Sequence, residues 1–345
     1  MNLRNKSISY TGTILCSIIL IFILILFFRC ESPEGFYRPD LPEKLCSIGI
    51  VDIDDTTLRH MSFEKSFQSE YEHEVNDSLR DFSFSISSSH GELFSYQCDS
   101  TVKSIKNLKI PDSIVFHPSQ KYTLTANEKG MEEITAEVMA PSPPPEPRLV
   151  SHEFMNTILP EPAGCIDTLV HVRTVRIKIS FKKNKNQYYA ILLRGWGHSL
   201  SSSWLGWPPW LDFTVVDGNA PGFLAVVQGL VTYHFPCYNI EPRRDPTFAY
   251  FIDGENIRGP ECLLTLSVQY RDRFSMIEMF KTINVKVISI PRELYLFEKS
   301  LYTYGKVSGD PFAEPIYING NIKGGNGIFA LCRSKELKIK LAPWI

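Results

Sequence analysis

The sequence predicts a mainly β protein: two β-sandwich-like domains, the first immunoglobulin- or transthyretin-like, with one helix near the C-terminus. Three observations carry this. Short runs of alternating apolar and polar residues recur along the chain, at the period of a half-buried strand. The residues include 23 Pro, 20 Gly and 22 Phe, a composition of turns and aromatic strands. A single proline-rich stretch, 140–147, reads APSPPPEP and divides two such β-rich regions. Proline fixes φ and lacks a donor, so that stretch cannot continue a sheet.

The elements follow in order. Arg4 and Lys6 precede an uncharged run, Tyr10 to Phe28, that is almost wholly apolar from Ile14, and Arg29 and Cys30 close it. A positive start before a short apolar stretch is an export leader, here residues 1–29. Two outcomes are open: cleavage before Cys30, which then carries lipid, or retention as a membrane anchor. Removal of 1–29 leaves 33 basic residues against 38 acidic ones, a net of −5. Nothing in that charge draws the body to an anionic membrane surface, so the lipid would do the anchoring. Residues 30–40 form a short tether.

The first domain spans 41–139. Leu45 to Ile53 is β-branched and apolar, a strand. Phe82, Phe84 and Ile86 alternate with serines, and His90-Gly91 turns the chain back into Leu93 to Tyr96. Tyr122 to Ala126 and Ile134 to Met139 flank a turn at Lys129-Gly130. The second domain spans 148–345. Val175, Ile177, Ile179 and Phe181 alternate with Arg176, Lys178 and Ser180, and a polar turn leads to Tyr188–Leu193 as a hairpin. Leu224 to Phe235, Phe248 to Ile252, Leu263 to Tyr270 and Ile283 to Ile290 supply further strands. Residues 291–305 form the helix, with Ser289 and Pro291 as a start signal and Gly305 as a stop. Leu294, Phe297, Leu301 and Tyr304 share a face that covers a sheet.

The eight cysteines lie at 16, 30, 46, 98, 165, 237, 262 and 332. With Cys16 in the leader and Cys30 assigned to lipid, six remain, an even number in an exported chain. Cys46 with Cys98 would staple the first domain, and Cys237 with Cys262 the second. Buried free thiols are the alternative. No CxxC occurs and no Cys/His set has zinc spacing, so no metal or other cofactor is expected.

The densest local feature is GWGHSLSSSWLGWPPW at 195–210, which holds Trp196, Trp204, Trp207 and Trp210. Indole pairs a broad apolar face with one donor, and the Gly and Pro around it say loop. Such a loop packs between domains, contacts a partner or membrane, or stacks on a glycan. Asp52, Asp54 and Asp55 resemble part of a calcium loop but lack its Gly and distal Glu, so VDIDD reads as a strand end. His73 lies among Glu70, Glu72 and Glu74, a solvated acidic edge. Gly324, Gly325 and Gly327 mark a structural turn, since the Lys and Ser/Thr of a phosphate cradle are absent. No GxSxG or other nucleophile arrangement occurs, so the chain is not expected to be an enzyme. A net charge of −2 excludes a nucleic-acid binder that works by displacing counterions.

Several stretches together carry a resemblance: the leader ending at Cys30, Ile134-Thr135-Ala136 followed by Pro141, Tyr188-Tyr189, Phe251-Ile252-Asp253-Gly254, and above all DPFAEPIYINGNIKGGNGIFA at 310–330. The chain resembles domain-of-unknown-function family forty-two forty-nine, envelope lipoproteins of Gram-negative bacteria, over nearly its whole length after Cys30. It departs from the family at Arg29 and at Gly195 to Trp210. The resemblance implies a two-domain β lipoprotein of the outer membrane, with no assigned catalytic residues and an association with TonB-dependent receptors. The expected role is therefore an accessory or ligand-capture component of an uptake system. Its partners would be an outer-membrane transporter or other envelope protein, and the bilayer through acylated Cys30. A membrane-anchored interaction protein and a glycan-active enzyme are the alternatives.

Overall fold

Alternation of apolar and polar residues sorts each strand into an inward and an outward face, and the computed structural model shows where those faces meet. It describes residues 43–66, 78–160, 169–184, 186–196, 213–226, 248–272, 282–307 and 314–341. The elements are β1 (Leu45–Asp52), β2 (Arg59–Lys65), β3 (Ser78–Leu79), β4 (Phe82–Ser88), β5 (Gly91–Cys98), β6 (Val102–Lys103), β7 (Ile105–Lys109), β8 (Lys121–Asn127) and β9 (Ile134–Met139). They continue with β10 (Arg148–Pro160), β11 (Leu169–Lys182), β12 (Tyr188–Trp196), β13 (Thr214–Gly218), β14 (Gly222–Val226), β15 (Phe248–Asp253), β16 (Glu261–Asp272), β17 (Thr282–Ile290), helix α1 (Arg292–Val307) and β18 (Asn326–Lys340).

Two sandwiches result. In the first, the sheet β5-β4-β8-β9 faces β1, β2 and the first half of β18. Phe82, Phe84 and Ile86 of β4 point inward, as their alternation requires, and the Phe63 ring lies 4.9 Å from Phe82 and 4.8 Å from Phe84. In the second, the sheet β10-β11-β16-β13 faces β14, β15, β12, β17 and the second half of β18. Its core holds Val175, Ile177, Ile179 and Phe181 of β11 against Ile191, Leu193, Val285 and Val287.

The two sandwiches share a strand. Cys46–Asp52 of β1 runs parallel to Asn326–Cys332, and Thr282–Ser289 of β17 runs antiparallel to Arg333–Lys340. A 15-residue strand is about 50 Å long, enough to edge both sandwiches. The expected division at 140–147 therefore does not separate the sheets. Residues 326–332 come from the end of the chain but complete the first sandwich, where Phe329 and Leu331 enter its core.

Local chemistry brings β18 into place. Lys323 pairs with Thr135 of β9 through backbone hydrogen bonds of 2.8 and 3.0 Å. The Asn321 side chain then acts as a strand partner: its Nδ2 donates to the Phe329 carbonyl at 2.8 Å, and its Oδ1 accepts from the Phe329 N–H at 2.9 Å. Gly324 and Gly327 adopt φ of +77° and +112°, the region where a side chain is strained; the chain bends at Gly324 and Gly325, whereas Gly327, expected in the same turn, already lies within β18.

The proline-rich segment is held at both ends. Gln187 Nε2 donates to the Ser142 carbonyl at 2.9 Å, and Lys335 Nζ lies 2.6 Å from Glu146 Oε2. Helix α1 covers the outer face of the shared sheet over small residues, Ala190, Ala225, Ala249 and Ala330. Leu294 and Phe297 are buried, as their spacing predicts, but Leu301 and Tyr304 are 38% and 51% exposed. The helix instead buries Tyr295, Glu298 and Ser300, a face turned by about one residue from the predicted stripe. Among the described residues no helix is long and apolar enough to cross a membrane.

Candidate functional site

The chain places its sequence-predicted residues unevenly. Cys30, Trp204, Trp207, Trp210, Cys237 and the His73 patch lie outside the described residues. Trp196 ends β12, with its backbone opposite Thr282 of β17. Cys46, Cys98, Cys262 and Cys332 are free thiols. The proposed Cys46–Cys98 staple is therefore absent, for a reason of strand faces. Cys46 shares the face of Ile48, which packs under α1, whereas Leu45 and Val51 face the opposing sheet that contains β5. Cys98 instead contacts Ser100 at 3.4 Å, and that hydrogen bonding lowers its thiol pKa. Cys262 is unpaired and buried in the second core, where desolvation pushes its thiol up to about 12.

The registers bring several strand ends together at one end of the second sandwich. Trp196 lies opposite Thr282, Thr282 opposite Lys340, and Val226 opposite Phe248. In the facing sheet Pro160 lies opposite Leu169, and His171 opposite Asp272. The strands that flank 161–168, 227–247 and 273–281 end and begin towards this end, as does β12 before 197–212, whereas β13 after it starts opposite Ser267, part-way along β16. The four connections carry Trp204, Trp207, Trp210, Tyr233, Phe235, Tyr238, Phe274, Met276, Met279 and Phe280. The spacing of aromatics singled out only the 197–212 segment. The antiparallel topology adds the other three, which no single window of sequence would associate.

The opposite end is built differently. A groove of about 340 Å³ lies beside the β13–β14 connection, lined by Val215, Asp217, Ala220, Pro221, Tyr250 and Arg258 among others. Asn219 holds its floor: Nδ2 donates to the carbonyls of Arg258 and Glu261 at 2.6 and 2.7 Å, and Oδ1 accepts from the Leu263 N–H at 2.7 Å. Asn219 is thus committed to structure. Among the described residues no group of three or more His, Cys, Asp or Glu could hold a metal ion.

Where the sandwiches join, the VDIDD segment ends β1, and its acids turn to cations on the neighbouring strands. Lys286 Nζ of β17 lies 2.8 Å from Asp52 Oδ2 and 2.6 Å from Asp55 Oδ2. Lys286 and Asp52 are buried, at 1% and 0% exposure. Nζ approaches Asp52 Oδ2 at ion-pair distance but off its hydrogen-bonding direction, so that oxygen makes no hydrogen bond. Asp52 Oδ1 accepts from the Asp54 N–H at 3.0 Å. Burial raises the Asp55 carboxyl pKa, but the Lys286 charge and hydrogen bonds from Lys286 and Thr57 outweigh it and leave it lowered. Asp54 forms a fork with Arg333, at 2.8 and 3.0 Å. Sequence reading gave Asp52 as a strand end and missed Lys286. A lone lysine among Ile283, Val285, Val287 and Ile288 was the available signal.

Glu298 is a further buried ionisable group that the sequence hid. It is 3% exposed, and desolvation raises its carboxyl pKa to about 8. It sits within the helical face that packs on the alanine-lined sheet.

Comparison with solved structures gives low likeness. The full-length major pilin SpaD from Corynebacterium diphtheriae matches at 12% identity and a TM-score of 0.17, over 75% of this chain and 64% of the pilin. The collagen binding domain of Erysipelothrix rhusiopathiae surface protein RspB matches at 8% identity and a TM-score of 0.15, over 86% of this chain and 96% of that domain. No curated protein matches the chain. The family model described as Domain of unknown function (DUF4249) matches residues 68–338, which takes in β3 to β17, the helix and β18 as far as Lys338, and leaves β1 and β2 outside. The chain belongs to that family.

Proposed function

We propose that this protein is an envelope lipoprotein that binds rather than transforms its target, through the end of the second sandwich where four connections begin. In this reading Cys30 carries the lipid and holds the body at the outer membrane. The aromatic-rich end then meets a partner, namely a TonB-dependent transporter or the ligand that it imports. The observation that carries the reading is the convergence of strand ends at Pro160, Trp196, Val226 and Asp272. A rigid sandwich with its recognition residues on connections at one end combines a stable frame with a broad, variable contact surface. Trp, Tyr and Met are the side chains that contribute most at such surfaces. The leader before Cys30 and the net charge of −5 after its removal support attachment by lipid rather than by surface charge.

The test is purification from detergent-solubilised envelopes. The expected result is an acylated N-terminal Cys30 and a co-purifying outer-membrane transporter. Trp204→Ala together with Trp207→Ala should deplete that partner at least tenfold while the body stays folded. Unchanged recovery of every partner with this double variant would sink the binding reading, and an intact Met1 would sink the lipid reading.

A further inference from the structure

We propose that Lys286 and Asp52 close an intramolecular amide bond that joins β17 of the second sandwich covalently to β1 of the first. Four features meet at this point. The two groups are in contact, 2.8 Å from Nζ to Oδ2, and both are shielded from water. On the same sheet face stand the buried Ile50, Ile288 and Cys332, so water that would compete as nucleophile is excluded. Asp52 Oδ2 makes no hydrogen bond and is free to leave. Asp52 Oδ1 is held by the Asp54 N–H at 3.0 Å, a donor placed to take the charge that develops on this oxygen during attack.

Asp55 completes the set. Its Oδ2 lies 2.6 Å from Nζ. A proton moves from Nζ to the Asp52 carboxylate, giving the neutral amine and neutral acid that can react. The amine lone pair attacks the Asp52 carboxyl carbon. Asp55 takes a second proton from Nζ and returns it to Oδ2. The C–Oδ2 bond breaks and Oδ2 departs as water, leaving Oδ1 as the amide carbonyl. One ammonium and one carboxylate become one amide and one water, with no oxidant, reductant or activated co-reactant. Holding both groups in contact supplies the effective concentration that an unassisted amine and acid lack. The product removes two buried charges and fixes the junction between the sandwiches.

Peptide mapping of the full-length protein decides the matter. Trypsin acting on the denatured chain should yield residues 45–59 linked to 282–292 as one branched species, uncut at Lys286, with a mass lower by one water than the sum of the two peptides. Recovery of separate peptides 45–59 and 282–286 from the native protein would overturn the proposal. Asp55→Asn should leave the two peptides unlinked, because it removes the proton carrier while keeping both reacting groups. A linked species at the native level in that variant would overturn the mechanism given for Asp55. The wild-type map reads the outcome even if the variant fails to fold.

Discussion

The carbonyl oxygen of Ser47 stands where a β-carbon on Gly327 would have to lie. The two residues are register partners in the parallel pair β1–β18, and Gly327 reaches its position with φ at +112°. Any side chain here meets both the Ser47 backbone and a strained dihedral. Gly327→Ala should therefore destabilise the protein by on the order of 3 kcal/mol. Gly130, also at positive φ but with open space around its missing β-carbon, should show only the smaller conformational cost on the same substitution. Urea denaturation midpoints of the two variants check the contrast.

The Phe329 side chain, fully buried, is carried into the first core by a strand that begins 179 residues beyond Pro147. Phe329→Ala should cost about 3–5 kcal/mol. A fragment of residues 43–147, which lacks 326–332, should show no cooperative thermal transition, and a version with residues 314–333 fused to it should recover one. Circular dichroism on the two fragments separates these outcomes.

Glu298 links stability to pH. Its carboxyl pKa is about 8 when folded, above an ordinary value of 4.5. The folded state therefore holds more protons than the unfolded one between these values, and its stability is greatest below 4.5 and falls as pH rises through 8. Each pH unit in that window should remove up to about 1.4 kcal/mol. Glu298→Gln should flatten the dependence. Unfolding free energies measured from pH 5 to pH 9 test it, and an equal slope in the variant would count against it.

The thiols should separate by reactivity. Cys98 has a lowered pKa and is partly exposed, so in the folded protein iodoacetamide should modify it before Cys46, Cys262 and Cys332. Burial raises the pKa of Cys262 to about 12 and that of Cys332 well above its ordinary value, so both should react only after denaturation. Mass mapping after timed labelling reads the order, and recovery of a Cys46–Cys98 linked peptide would contradict the assignment of strand faces.

The legible parts of this fold are those with one wet face. Phe82, Phe84 and Ile86 alternate with serines because β4 has solvent on one side, and the sequence pattern reports that directly. Ile328, Phe329, Ala330, Leu331 and Cys332 are all buried, because α1 covers one face of β18 and the first core the other. A strand dry on both faces has no period of two, so its extent and its double membership could not be read. Lys286 escaped for a related reason. A charge in a strand signals solvent unless its counter-charge is known, and here that charge lies more than 230 residues away at Asp52 and Asp55. The helix was read correctly in place, but it runs through the expected stop at Gly305 to Val307, and its buried face takes in Glu298, whose polarity argued for the opposite side. The cysteine count was even, yet parity carries no information about which side of a sheet a thiol occupies. Of the tryptophans read as a contact loop, Trp196 ends β12, and Trp204, Trp207 and Trp210 lie outside the described residues.

The shared strand also sets a timetable. A ribosome delivers Leu45 281 residues before Asn326, so all of that length must be made before the first sandwich can close. Until then the row of hydrogen-bonding groups on β1 that awaits Asn326–Cys332 stays open to other extended segments. The growing chain thus needs a guardian at β1, and loses that need only when residues 326–332 arrive.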